Sequence, residues 1–155
     1  MEEAVFDEKE VLTLLEKAID QGDLRAAIAY ANWYMFGPNS ERDEKKAVDL
    51  LFIAAKGNFP EALFNLGVAH ERGKGVRKDA RAAYLFYLRA ALAGDREAFY
   101  EVGRCYCYGI GVDVDEEKSL IWLEKARDIG VNSSGKFLEE GGGGSSRASH
   151  SRRLR

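Results

Sequence analysis

ALFNLGVAHERGKGVRKDARAAYLFYLRAALAG, residues 62–94, divides into a helical segment, a glycine-bearing loop and a second helical segment. Slid forward by 36 residues, Ala62, Gly67, Gly73, Gly75, Val76, Asp79 and Ala90 fall on Ala98, Gly103, Gly109, Gly111, Val112, Asp115 and Ala126. Slid backward by 36, they meet Ala26, Ala31, Gly37, Asn39, Ser40, Asp43 and Ala54. A fixed period of this size marks stacked helix pairs, because one pair cannot bury its own apolar face and needs neighbours. The spacing predicts an all-α fold, a right-handed α-solenoid of stacked helix-turn-helix repeats.

Worked outward, the unit organises residues 1–140 as one repeat domain. A half repeat covers 8–22, where Val11, Leu14, Leu15, Ala18 and Ile19 recur three and four apart. Asp7 is placed to cap its start and Gly22 its end. Full repeats follow at 26–57, 62–94 and 98–130. A terminal cap is expected over 131–140, where Phe137 and Leu138 suit the open apolar end of the last repeat. Small residues at Ala26, Ala62, Ala98 and at Ala31, Gly67, Gly103 let paired helices approach closely. Tyr30, Leu66 and Val102, with Leu50, Phe86 and Trp122, are expected to be buried by stacking. Gly37, Gly73 and Gly109 suit the left-handed residue that ends a helix, and Asp43, Asp79 and Asp115 suit the cap of the next. The first turn differs, having Pro38 and Asn39. Between repeats one and two, GNFPEA reads as one residue longer than GDLRA and GDREA, with Phe59 the expected insertion.

The formal charge of −3 hides an uneven distribution. Residues 147–155 hold four arginines and no acid, which leaves 19 basic against 26 acidic side chains elsewhere, a body charge of −7. That disfavours nucleic acid, which needs a clustered positive surface. No segment approaches the run of about 18 apolar residues that a membrane helix requires, and the acidic start MEEAVFDEKE does not resemble a signal peptide. Cys105 and Cys107, two apart on a helix, point to different sides and do not pair with each other. A reduced, cytoplasmic chain is the expectation.

The pattern A-x-x-x-L-G-x-x-Y-x-x-G-x-G-V-x-x-D-x-x-K-A, followed by a helix ending A-x-x-G, resembles the Sel-one-like repeat, a subclass of tetratricopeptide-like solenoid. Repeats two and three carry it through Gly67, Gly73, Gly75, Val76 and Asp79, then Gly103, Tyr106, Gly109, Gly111, Val112, Asp115, Lys118 and Trp122. Departures are His70 in place of Tyr, Ala82 in place of Lys, and the altered first turn. The likeness covers about residues 11–130. It implies an adaptor that holds proteins or peptides on a concave surface, with no chemistry of its own.

Catalytic or cofactor signals are weak. GKG and GIG join two helices, without the preceding strand or the GK[ST] of a phosphate loop. His70 lies on the inner helix face, where packing is the simpler role, and two histidines with two cysteines at these spacings make a poor zinc site. No nucleophile, base and orienter group together, so neither enzyme activity nor a cofactor is expected. The candidate site is therefore a surface. With Leu66, Gly67 and His70 marking the buried side, the groove-facing set on the middle repeat is Phe64, Asn65, Val68 and Glu71. Tyr100, Glu101, Arg104 and Cys107 follow in repeat three, and Ile28, Asn32 and Met35 in repeat one. Glu61 and Glu97 stand at the helix starts, at the position of Arg25. Amides suit a peptide backbone, aromatics suit apolar or guanidinium groups, and carboxylates suit arginine. An ordinary solvated helix face is the plainer alternative.

Residues 141–146, GGGGSS, have the composition of a flexible linker. The tail beyond it carries Arg147, Arg152, Arg153, Leu154 and Arg155, a ligand-like basic peptide joined to its receptor; a purification remnant or a native basic tail are the alternatives. A protein or peptide partner with an Arg-rich motif is expected, and a monomer or a tail-exchanged oligomer. Two rival readings stay open: an immunity or secretion accessory protein gripping a folded toxin or effector, and a targeting fragment of a larger enzyme.

Overall fold

Seven α-helices form the regular structure of residues 7–36 and 43–131, the part of the chain that the computed structural model describes. They are α1 (Glu8–Asp20), α2 (Leu24–Phe36), α3 (Glu44–Ala55), α4 (Pro60–Arg72), α5 (Ala80–Leu92), α6 (Arg96–Tyr108) and α7 (Glu116–Asp128). Each helix packs on the next in sequence, most extensively within the pairs α2–α3, α4–α5 and α6–α7. This is the expected all-α solenoid. The even-numbered helices form one layer and the odd-numbered helices the other. Pro38, Asn39 and Ser40 of the first turn, cap residues 132–140, linker 141–146 and the tail from Arg147 to Arg155 lie outside the described residues.

The punctuation read from the sequence is what starts and stops these helices. Asp43, Asp79 and Asp115 each accept a hydrogen bond from the backbone N–H three residues on, at 3.0–3.1 Å. Asp7 caps α1 through the Lys9 amide. Gly73 and Gly109 end α4 and α6 at φ of +68° and +69°. After each odd-numbered helix the chain also turns through a positive φ, at Gly22, Asn58, Gly94 and Gly130, whose amides all bond three residues back. Asn58 thus stands where the other repeats have glycine. That fixes the register of GNFPEA and corrects the expectation of an insertion at Phe59. Phe59 occupies the N-cap place that Asp23 and Asp95 hold elsewhere, and gives α4 no side-chain cap. The period is 36 throughout.

Packing between layers is decided by the small residues. Gly67 lies so close to Tyr87 that a Cβ there would stand 2.7 Å from two of its ring carbons. At Gly103 the corresponding neighbour is Leu123. The residue at this crossing is therefore Leu51, Tyr87 or Leu123, one place beyond the expected Leu50, Phe86 and Trp122. Those three are only half-buried. Phe86 stacks on His70 with ring centres 5.2 Å apart, and Trp122 tilts against Phe99. The second loop glycine serves the seam between repeats. A Cβ on Gly111 would stand 2.0 Å from the Ala80 carbonyl, and one on Gly75 would strike that of Glu44.

Candidate functional site

Ile28, Asn32 and Met35 on α2, Glu61, Asn65, Val68 and Glu71 on α4, and Glu97, Glu101 and Arg104 on α6 recur three and four apart, a spacing that keeps each set on one side of its helix, with Phe64 and Tyr100 one residue off that row. Two clefts divide that side. The first lies between α2 and α4, lined by Arg25, Ile28, Ala29, Asn32, Phe59, Pro60 and Glu61. Its wall is largely apolar, and the Arg25 guanidinium lies 5.6 Å from the centre of the Phe59 ring. The Oδ1 atom of Asn32 is enclosed and accepts no hydrogen bond from any described residue. An enclosed acceptor left without a donor costs about 1–3 kcal/mol.

The second cleft lies between α4 and α6, lined by Val68, Glu71, Arg72, Tyr87, Tyr100, Glu101 and Arg104. Arg104 organises it. Its Nη2 donates to both carboxylate oxygens of Glu71, at 2.8 Å to Oε2, and its Nε donates to Glu101 Oε2 at 2.8 Å. The Tyr87 hydroxyl donates to Glu71 Oε1 at 3.1 Å. Glu101 is 2% exposed, and a carboxylate taken that far from water needs a charged partner to offset a penalty of several kcal/mol. Burial by itself would lower the Arg104 pKa; its bond to Glu71 and that residue's charge outweigh this and raise it. The sequence offered Glu71 and Glu101 to an incoming arginine, whereas within the chain Arg104 already engages both.

The remaining site residues divide by burial. Phe64 and Asn65 are fully enclosed and Glu97 is 1% exposed, where an open wall was expected. Phe64 lies against the Tyr87 ring at 5.6 Å. Val68 is buried, Tyr100 half-buried and Glu61 half-buried, while Met35 is buried and Cys107 exposed. Tyr87, Phe59 and Pro60 escaped the sequence reading. Tyr87 reaches the cleft from α5, outside the helices expected to line the groove, and Phe59 reads in the sequence as an insertion rather than as part of a wall.

His70 has the packing role its position implied. It is buried between Phe52 and Phe86, and its Nδ1 donates to the Leu66 carbonyl at 2.7 Å, which fixes the tautomer. Burial pushes the Cys105 thiol up to about 12. Among the described residues no three His, Cys, Asp or Glu side chains converge as metal ligands, and no helix is long and apolar enough to cross a membrane.

The Sel1 repeat family matches this chain over residues 12–23, 24–59, 60–95 and 97–131. The crystal structure of a Sel1 repeat protein from Oxalobacter formigenes is 36% identical, with a TM-score of 0.70, over 80% of this chain and 92% of that one. Chitin synthase regulator SKT5 of Saccharomyces cerevisiae is 35% identical over 80 residues, which are 50% of this chain. The ERAD-associated E3 ubiquitin-protein ligase component HRD3B of Arabidopsis thaliana is 34% identical over 74 residues, 48% of this chain. The chain spans 12% of the length of each of those two curated relatives. The matched residues take in every helix described above, from within α1 to the end of α7, and the chain belongs to the Sel1 repeat family.

Proposed function

We propose that this chain is a non-catalytic interaction adaptor, and that the α2–α4–α6 side holds an extended, arginine-rich segment of a protein partner. The reading is carried by one observation: Asn32 and the carboxylate-bearing Glu61 both line the largely apolar cleft between α2 and α4. A peptide entering there supplies an N–H to Asn32 and a guanidinium to Glu61, while its apolar stems cover Ile28, Phe59 and Pro60. Neither a metal nor a cofactor is needed for such recognition. Sharing a fold with proteins named as a regulator and a ligase component is in keeping with an adaptor, though those names describe far longer chains.

The test uses a fluorescein-labelled peptide with the sequence of residues 147–155, titrated by anisotropy into protein lacking residues 141–155. Binding is expected to weaken as salt is raised. Glu61→Lys is expected to reduce affinity by about tenfold or more, the loss of one charge-assisted hydrogen bond worth about 1.5–3 kcal/mol. Asn32→Leu, which removes the acceptor at similar size, is expected to weaken it less. The absence of binding at millimolar peptide, or affinity indifferent to Glu61→Lys, would overturn the assignment.

A further inference from the structure

We infer that the chain's own tail, residues 147–155, occupies the α2–α4 cleft in cis and competes there with any partner. The inference rests on the preceding reading of the cleft as a site for arginine-rich segments. It adds a committed occupant and a regulatory consequence.

Three observations support it. Charge is the first: the tail has four arginines and no acid, against a body of −7. Fit is the second. The cleft sets one carboxylate, Glu61, and one guanidinium, Arg25, which lies over the Phe59 ring, beside an apolar wall at Ile28, Phe59 and Pro60, and the tail sets Leu154 among Arg152, Arg153 and Arg155. Reach is the third. Residues 132–146 number 15 and extend to about 50 Å when drawn out. Packed helix axes lie about 8–10 Å apart, so a path from the end of α7 back across α6 and α4 falls well within that span. Segments joined through short flexible linkers meet their sites at an effective concentration in about the millimolar range. A site with a dissociation constant of about 0.1 mM would then be occupied in cis about nine-tenths of the time.

Two 155-residue chains decide the matter: the wild type, and a variant with Arg147, Arg152, Arg153 and Arg155 all changed to Glu. The probe is the labelled peptide of residues 147–155, supplied in trans. The variant is expected to bind it about tenfold more tightly than the wild type, because its own tail no longer competes. Glu61→Lys in the variant background is expected to abolish that gain. Equal binding to the two chains would overturn occupancy in cis and leave the arginine site standing. Binding to neither would overturn the site itself. A wild-type mass by sedimentation that rises with concentration, alongside the suppressed binding, would show the tail exchanged between copies and would also overturn the cis assignment.

Discussion

At Gly67 one methyl group decides how closely α4 meets α5. A Cβ there would stand 2.7 Å from the Tyr87 ring, inside van der Waals contact, and that ring is 2% exposed and tied through its hydroxyl to Glu71. Repeat one has Ala31 at this place and Leu51 at the place of Tyr87, both fully buried, so that pair accommodates the extra carbon, whereas a Cβ on Gly103 would stand 2.8 Å from Leu123. Gly67→Ala is therefore expected to lower stability by about 1–3 kcal/mol through overpacking. In a Tyr87→Leu background the same change is expected to cost much less, and equal shifts in urea midpoint in both backgrounds would refute the contact. The small positions were legible at once, because a shift of 36 superposes them. Their partners were not. Neighbours on a helix differ in direction by about 100°, and in LLF, YLFYL and LIWL several apolar residues compete for one crossing. Placement also separates the two cysteines. Cys105 is buried with its thiol pushed up to about 12, while Cys107 is exposed. Iodoacetamide at neutral pH is expected to modify one thiol, Cys107, in the folded protein and both in urea, with the modified peptides read by mass spectrometry. Two fast thiols in the folded chain would contradict the buried position of Cys105.

Helix starts were readable wherever aspartate recurs with the period. Asp43, Asp79 and Asp115 cap α3, α5 and α7 from the expected places. Asp23 and Asp95, which cap α2 and α6, are harder to read, because the third member of their series is Phe59 and an insertion placed there hides the recurrence. A phenylalanine accepts no amide proton, so α4 begins instead with Pro60 in its first turn, whose missing N–H needs no acceptor. Asp79→Ala and Asp115→Ala are each expected to cost about 1 kcal/mol, and about twice that together, since the caps belong to different helices and share no partner. Thermal melts of the two single variants and the double variant measure this. A double variant no weaker than either single one would show that the caps do not act separately.

Across the molecule the repeats cohere through seams between neighbours, so weakening one seam weakens the array. The fold was legible because 36-fold recurrence is a property of the whole sequence. The clefts were less so, because their chemistry lies where recurrence fails: Asn32, Val68 and Arg104 occupy one repeat position with three different side chains, and nothing in the period says that Arg104 turns to Glu71. Two seams depend on tyrosine protons. Tyr30 donates to Glu16 at 2.7 Å, joining α1 to α2, and the Tyr84 and Tyr106 hydroxyls meet at 2.7 Å, joining repeats two and three. Burial, then the bond to Tyr106, pushes Tyr84 up to about 12, and burial above all pushes Tyr30 upward as well. An unfolded tyrosine loses its proton near pH 10, whereas the folded chain retains both protons above that pH. The folded state then binds more protons than the unfolded one, so stability is complete below about pH 10 and falls from there towards pH 12. The slope is at most about 1.4 kcal/mol per pH unit for each tyrosine. Buried Cys105 adds a loss of the same sign that begins nearer pH 8.5. Urea midpoints at pH 9, 10 and 11 are expected to decline, and Tyr84→Phe is expected to start lower but decline less steeply. A wild-type profile that stays level between pH 9 and 11 would mean that these hydroxyl protons do not hold the repeats together.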